Sequence, residues 1–226
     1  VDFTQSRENT YARQVLEAVN FKQLAWSLAF ALVMIFVSAG AGWFVETRYP
    51  NPVRPDDLIL DSIPEIEIFV TVGEVVGAAQ ALLSLYMLGQ RRFKDMPALL
   101  FQLSVLFILR SIAITLTPLA QIQNPAEHFG ENHLVARYTY KGMFFSGHTG
   151  SACTQYLFFA RRGYGWLVRV HLMLAILQAV SMLASHSHYT IDVFAALFVA
   201  YFVTHHDFTR WIPDAWRHWH WAPWSV

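Results

Sequence analysis

The sequence predicts an all-α, polytopic membrane protein built as a bundle of six transmembrane helices, and three observations carry that prediction. Of 226 residues, 55% are hydrophobic and only 14% are charged, and the apolar residues come in long runs rather than in alternation. Six of these runs approach the ~20 residues that cross ~30 Å of hydrocarbon. Lysine and arginine collect at alternate ends of the runs, as they do in cytoplasmic loops.

Residues 1–22 are polar and mixed in charge, with Tyr11, Val15, Leu16 and Val19 spaced for one face, and predict an amphipathic interfacial helix. A catalytic membrane domain over 23–206 follows, with spans expected at 24–45, 66–88, 97–119, 143–160, 166–184 and 188–206. The first is too long for a signal-peptide core and is expected to be a retained helix without a preceding signal peptide. The third, fourth and sixth carry polar residues that weaken their hydropathy. In the tail, 207–226, Trp211, Trp216, Trp219, Trp221 and Trp224 read as anchors at headgroup level.

Charge placement orients the bundle. Arg7, Arg13 and Lys22, then Arg91, Arg92 and Lys94, then Arg161, Arg162 and Arg169, and finally Arg210 and Arg217 fall on one side. The other side holds Arg48, Arg54, Arg137 and Lys141 among the acids Glu46, Asp56, Asp57, Asp61, Glu65, Glu67, Glu127 and Glu131. Both termini are therefore expected in the cytoplasm. The net charge is zero, and no basic patch stands free of the membrane context, which argues against a nucleic-acid partner. The single cysteine, Cys153, lies inside the fourth run; it permits no intrachain disulfide and reads as a packing residue.

Two loops are long, 46–65 and 120–142, and both fall on the external side, where they can roof a site. The first is stiffened by Pro50, Pro52, Pro55 and Pro64. In the second, Glu127, His128, Glu131 and His133 lack the paired cysteines or short histidine spacing of a metal site and read as solvated loop residues. No metal or cofactor is expected.

Ionisable residues inside spans are costly, and each one points to function. Glu74 and Arg110 lie at about equal depth, ~12–14 Å from the external ends of their spans. They are expected to pair, to line a pocket, or both, with Arg110 drawing a phosphate. His148 opens the fourth span and His188 the sixth, so both face the external leaflet. His188 and Asp192 are four residues apart, which places them on one helix face, where the carboxylate can orient the imidazole and raise its nucleophilicity. His148 supplies an acid. Ser146 and Gly147 sit at a helix N-terminus, where free N–H groups favour an anion, although capping by Ser146 fits the same position. The set suits attack on phosphorus, with a covalent phosphohistidine and a protonated leaving group.

The segments Phe145-Ser146-Gly147-His148-Thr149 and His188-Tyr189-Thr190-Ile191-Asp192-Val193 resemble the two catalytic motifs of the sphingomyelin synthase family, a branch of the type 2 phosphatidic acid phosphatase superfamily. Arg54-Pro55-Asp56, Val72-Gly73-Glu74-Val75-Val76-Gly77, Arg110-Ser111-Ile112 and Thr115-Leu116-Thr117-Pro118-Leu119 resemble its upstream segments. The resemblance implies a shared six-helix core, His188 as nucleophile, Asp192 as its orienting carboxylate, His148 as acid and then base, and Glu74 in the polar pocket. It implies transfer of a phospho-headgroup from a glycerophospholipid to ceramide, with no metal. Glu74, Arg110, Ser146, Gly147, Lys141 and Tyr189 form the expected substrate-binding set.

Departures narrow this expectation. Many family members have Cys-Gly-Asp shortly before the Ser-Gly-His motif, where Tyr140-Lys141-Gly142 stands here, and a lysine suits an anionic or neutral headgroup. The extra basic residues of the superfamily's phosphatases are missing, with Met182 and Thr47 at two of their positions. A phosphomonoester dianion needs more donors than a diester, so diester transfer is favoured. The expected function is that of an integral-membrane lipid phosphotransferase with ceramide or diacylglycerol as acceptor, its site on the periplasmic or luminal face. A hydrolase of phospholipase C or lipid phosphate phosphatase type is the alternative. A non-catalytic scaffold or transporter does not suit the intact histidine and aspartate set. Expected partners are the membrane lipids and other copies of the chain.

Overall fold

The computed structural model describes residues 21–49, 51–91, 93–120, 122 and 143–208. Six α-helices run through them: α1 Phe21–Arg48, α2 Ile68–Arg91, α3 Met96–Leu116, α4 Gly147–Arg161, α5 Trp166–Ala184 and α6 Thr190–His205. Each falls on one of the six apolar runs, so the all-α class and the number of helices agree with the sequence. The expected interfacial helix over 1–22 lies outside the described residues except at its last two positions, which begin α1; the tryptophan tail beyond 208 lies outside them as well.

Length separates the helices into two kinds. Four are long and apolar enough to cross a membrane: α1, α2, α5, and α3 with its preceding turn. The helices α4 and α6 have 15 and 16 residues, about 22–24 Å at 1.5 Å per residue, short of a full crossing. The fourth run is helical only from Gly147, because Ser146 takes an extended conformation and caps it. The third run, expected over 97–119 and weakened by its polar residues, is helical from Met96 to Leu116 and apolar enough to cross a membrane.

Local chemistry explains the boundaries. Pro97 in the first turn suits the start of α3, where its missing N–H costs nothing. Gly163 and Gly165 have φ of +68° and +61°, and together they turn the chain sharply from α4 into α5. The helix α5 ends in a Schellman pattern: Ser187 N–H donates to Met182 O and His186 N–H to Leu183 O, with His186 at φ +51° in the left-handed position usually held by glycine. The chain reaches His188 directly from this stop.

At the centre is α4, which packs against α2, α3, α5 and α6, whereas α1 packs on α3 at the periphery. Small residues allow the close approach: Ala152 and Cys153 of α4 meet Ala175 of α5 and Ala200 of α6. Cys153 is buried there as a packing residue. Polar contacts reinforce the contact of α4 with α2 and α5. Gln80 Nε2 donates to Ala152 O at 2.9 Å, and Ser84 Oγ donates to Gln155 Oε1 at 2.6 Å while lying 3.0 Å from His171 Nε2. Outward faces are apolar, with Phe36, Met173 and Phe198 about 70% exposed; such a belt suits hydrocarbon rather than water.

The two ends of the bundle are tied differently. At one end Asp95, before α3, accepts from Tyr164 Oη at 3.0 Å and pairs with Arg162 at 3.6 Å, and Arg161 caps α6 through Thr204 O at 2.8 Å. At the other end Ile66 N–H meets Ala184 O, Ser146 N–H meets Asp192 O, and Ala120 N–H meets Val53 O. These contacts gather the starts of α2, α4 and α6 beneath the first loop.

Candidate active site

A cavity of about 430 Å³ opens at this second end. Its polar wall is made by Glu74 of α2, Arg110 of α3, Gly147, His148 and Ser151 of α4, and Ser187 and His188 from the α5–α6 connection. Met34 and Ile35 of α1, Val70 of α2, Phe107 of α3, Met143 and Met182 make the opposite, apolar wall. One space thus offers both charged donors and a surface for acyl chains.

His188 is buried, and its Nδ1 lies 3.2 Å from Asp192 Oδ2. The carboxylate holds the proton on Nδ1 and leaves Nε2 with a lone pair. The expected helix-face pairing needs correction here, because α6 begins at Thr190 and His188 precedes it. Asp192 is the third residue of the helix and reaches back over the first turn, accepting from Tyr189 N–H at 3.1 Å as well as from His188. One fully buried carboxylate therefore caps the helix and orients the imidazole. This geometry is stiffer than a pair exposed on a helix face, since the capping bond fixes the carboxylate.

His148, in the first turn of α4, has Nε2 3.3 Å from Glu74 Oε1. Glu74, expected opposite Arg110, thus forms a second carboxylate–imidazole pair on the same cavity. Its side chain is 43% exposed and that of His148 34%, against 0% for Asp192 and 8% for His188. One pair is dry and fixed, the other open to whatever fills the cavity.

Arg110 reaches the cavity from α3 and donates Nε–H to Phe145 O at 2.9 Å. Gly147 is what admits it: a β-carbon at 147 would lie 3.1 Å from Arg110 Nε and 3.2 Å from Phe107 Cε1. The glycine therefore serves close side-chain approach. At Gly77 on α2 a β-carbon would lie 3.4 Å from Gln178 Oε1 and 3.8 Å from His148 Cδ2, ordinary contact distances that a side chain could fill.

The structure brings His148, His188, Glu74, Arg110 and Gly147 together on one cavity, with Asp192 directly behind His188. It places Ser146 and Tyr189 elsewhere. Ser146 is fully buried as the N-cap of α4, its Oγ accepting from Thr149 N–H at 3.3 Å. Tyr189 is buried with Leu60 and Met143, its hydroxyl donating to Ala120 O at 3.0 Å. Lys141 lies outside the described residues, as do Glu127, His128, Glu131 and His133. Among the described residues no three His, Cys, Asp or Glu side chains gather as a metal-binding group.

Sequence reasoning missed Ser151, Ser187 and the apolar wall. Ser151 stands three residues after His148 in the same helix, which puts it on the same face; that spacing was a usable signal. Met34 and Ile35 of α1 gave none, because they are apolar residues within a long apolar run.

Two comparisons bear on this site. Residues 142–209 match the family described as PAP2 superfamily C-terminal, a stretch that contains His148, His188 and Asp192. The chain is also similar to a phosphatidylcholine:ceramide cholinephosphotransferase of Caenorhabditis elegans, at 24% identity over 202 residues. That likeness covers 74% of this chain, but the chain spans only 43% of the length of the relative. Both findings support the family resemblance read from the two histidine motifs.

Proposed function

We propose that the chain is an integral-membrane lipid phosphotransferase, which moves a phospho-headgroup from a glycerophospholipid to a lipid alcohol such as ceramide or diacylglycerol. What carries the proposal is the pair of carboxylate–imidazole couples, His188–Asp192 and His148–Glu74, on one cavity with an apolar wall.

In this mechanism His188 Nε2 attacks the phosphorus of the donor, and the bond from phosphorus to the diacylglycerol oxygen breaks. His148 gives that oxygen a proton as it leaves, and the headgroup phosphate stays on His188 as a phosphoramidate. The acceptor hydroxyl then takes the vacated place, loses its proton to His148 and attacks phosphorus, and the N–P bond breaks. Protons and charge balance over the two halves. Asp192 stabilises the imidazolium character that grows on His188. Arg110 and the first N–H groups of α4 bind the phosphoryl oxygens. If water takes the acceptor's place, the same steps make a hydrolase.

The same reading places six spans in the membrane with both termini cytoplasmic, so that the cavity opens to the non-cytoplasmic leaflet. It draws support from the arginines and lysines at the Asp95–Arg162 end of the bundle. Of the two short helices, α4 sits at the centre among longer neighbours, and α6 packs on it with Phe194, Phe198 and Tyr201 turned outward.

Product identification tests the proposal. Purified protein in vesicles is given labelled phospholipids with choline, ethanolamine, glycerol or inositol headgroups, with and without ceramide, beside His188→Ala. A new headgroup-bearing lipid, lost in the variant, is the expected result. Free phosphorylated headgroup at equal rates with and without acceptor would instead make the chain a hydrolase.

A further inference from the structure

Asp57 lies in the first external loop, outside the cavity and outside every role assigned so far. Its carboxylate accepts four hydrogen bonds. Ile59 N–H and Leu60 N–H reach Oδ1 at 3.2 Å each and shape the loop's own turn. The other two come from the first residue of α6: Thr190 N–H to Oδ2 at 2.6 Å and Thr190 Oγ1–H to Oδ1 at 2.8 Å, across 133 residues of chain.

The first turn of a helix exposes N–H groups without intrahelical acceptors, at the positive end of the helix dipole. A short polar side chain at the N-cap usually satisfies one of them. The N-cap of α6 is Tyr189, whose hydroxyl is turned away to Ala120 O. Capping is therefore divided between two carboxylates: Asp192 takes Tyr189 N–H, and Asp57 takes Thr190 N–H. Asp192 is also the partner of His188.

The loop that carries Asp57 is itself held at several points. Ala120 N–H donates to Val53 O at 3.0 Å, Leu60 packs with Met143 and Tyr189, and Ile66 N–H donates to Ala184 O at 2.8 Å. The clasp on Thr190 ties this strap by hydrogen bonds to the turn bearing His188, beside the packing of Leu60 on Tyr189.

We infer that Asp57 is a positioning residue for the proposed phosphoryl transfer: by capping α6 from the first loop it fixes the turn through which Asp192 meets His188. The inference rests on the proposed function. Reacting groups misplaced by ~1 Å lose about 100-fold in rate, so release of this turn is expected to lower turnover more than donor binding.

The test compares wild type, Asp57→Asn, Asp57→Ala, Asp57→Glu and Thr190→Val with Asp61→Asn, whose carboxylate accepts only within the loop, from Asp57 N–H. Headgroup transfer is measured in vesicles, and amide exchange is followed over residues 186–194. Asp57→Ala and Asp57→Asn are expected to lose roughly 10–100-fold in kcat with KM for the donor little changed. Asp57→Glu restores part of it, Thr190→Val loses less, and Asp61→Asn stays near wild type. Exchange accelerates over 186–194 in Asp57→Ala while the rest of the bundle stays protected. A wild-type kcat in Asp57→Ala, or exchange that accelerates through all six helices together, would overturn the inference. If wild type transfers no headgroup from any donor, the proposed function fails, and exchange over 186–194 alone then decides whether the clasp exists.

Discussion

Replacing Gly147 by alanine puts one methyl group against Arg110 and Phe107, where the structure leaves little room for it. The new carbon would stand 3.1 Å from Arg110 Nε, 3.2 Å from Arg110 Cδ and 3.2 Å from Phe107 Cε1. Comfortable contacts between such atoms start near ~3.5 Å, so both side chains must retreat by about 0.3–0.4 Å. Taken along the bond to Phe145 O, now 2.9 Å, that retreat stretches it to ~3.3 Å, at the edge of the useful range. Overpacking of this kind costs about 1–3 kcal/mol, and a weakened bond from a charged donor adds to it. Because Arg110 and Phe107 both line the cavity, headgroup transfer is expected to fall by roughly 10–100-fold, with a modest drop in the melting temperature. The assay is transfer in vesicles beside thermal unfolding in detergent. Gly150→Ala is the nearby comparison, since its new carbon meets the methyl tips of Leu106 at 3.3 and 3.4 Å, which can yield. Gly40→Ala meets nothing within 4 Å and should match wild type. Full transfer and an unshifted melt in Gly147→Ala would refute the claim that this glycine seats Arg110.

Three further outcomes follow from the geometry. Ser84→Ala leaves Gln155 Oε1 and His171 Nε2 without a shared partner; thermal unfolding should show a loss of about 1–3 kcal/mol, while activity per folded molecule stays unchanged, because none of the three lines the cavity. For Asp57, burial pushes the carboxyl up, but the bonds from the Thr190 N–H and hydroxyl and from the Leu60 and Ile59 N–H groups outweigh it and hold the group below its ordinary value. Its contribution is therefore complete above the unfolded value of about 3.9 and is lost as pH falls through the lower folded one. Amide protection over 186–194 should thus be level from neutrality to about pH 4 and decline below it, with that decline absent in Asp57→Asn. Finally, if His148 protonates the leaving oxygen, a phosphodiester donor whose leaving group is a nitrophenol needs no such proton. His148→Ala should then recover first-step activity with that donor and Asp192→Asn should not; equal rescue of both, or of neither, would remove the division of labour.

How much of this was legible in the sequence depends on the range of the signal. The six helices were, because hydropathy is written along the chain and each run exceeds a few turns. The shortness of α4 and α6 was not, since local capping sets their starts, by Ser146 at α4 and by the Asp192 and Asp57 carboxylates at α6. His148, His188 and Asp192 stood out because ionisable groups are rare in spans, and the structure joins them at one cavity. The contact of Glu74 with His148 did not, because depth counted along the runs matched Glu74 with Arg110, whereas in the structure His148 Nε2 lies 3.3 Å from Glu74 Oε1. Asp57 was one acid among several in a loop; its bond to Thr190 spans 133 residues, a separation over which sequence carries no periodicity.

Under the proposed mechanism, the unequal burial of the two carboxylates divides their work. Asp192 is fully buried and fixed by a backbone N–H, so it cannot follow a substrate, but it can hold one tautomer of His188 through both half-reactions. A nucleophile that must carry a phosphoryl group and then release it needs that constancy. Glu74 is 43% exposed and lines the cavity in which, on that mechanism, donor, acceptor and leaving alcohol exchange places. A histidine that gives a proton in one half-reaction and takes one in the next is then paired with a carboxylate that solvent and headgroup can reach. Exchanging the two environments would fix the proton donor and loosen the nucleophile. The fold avoids this by setting His188 behind the α5 stop, under the first loop, and His148 at the open mouth of α4.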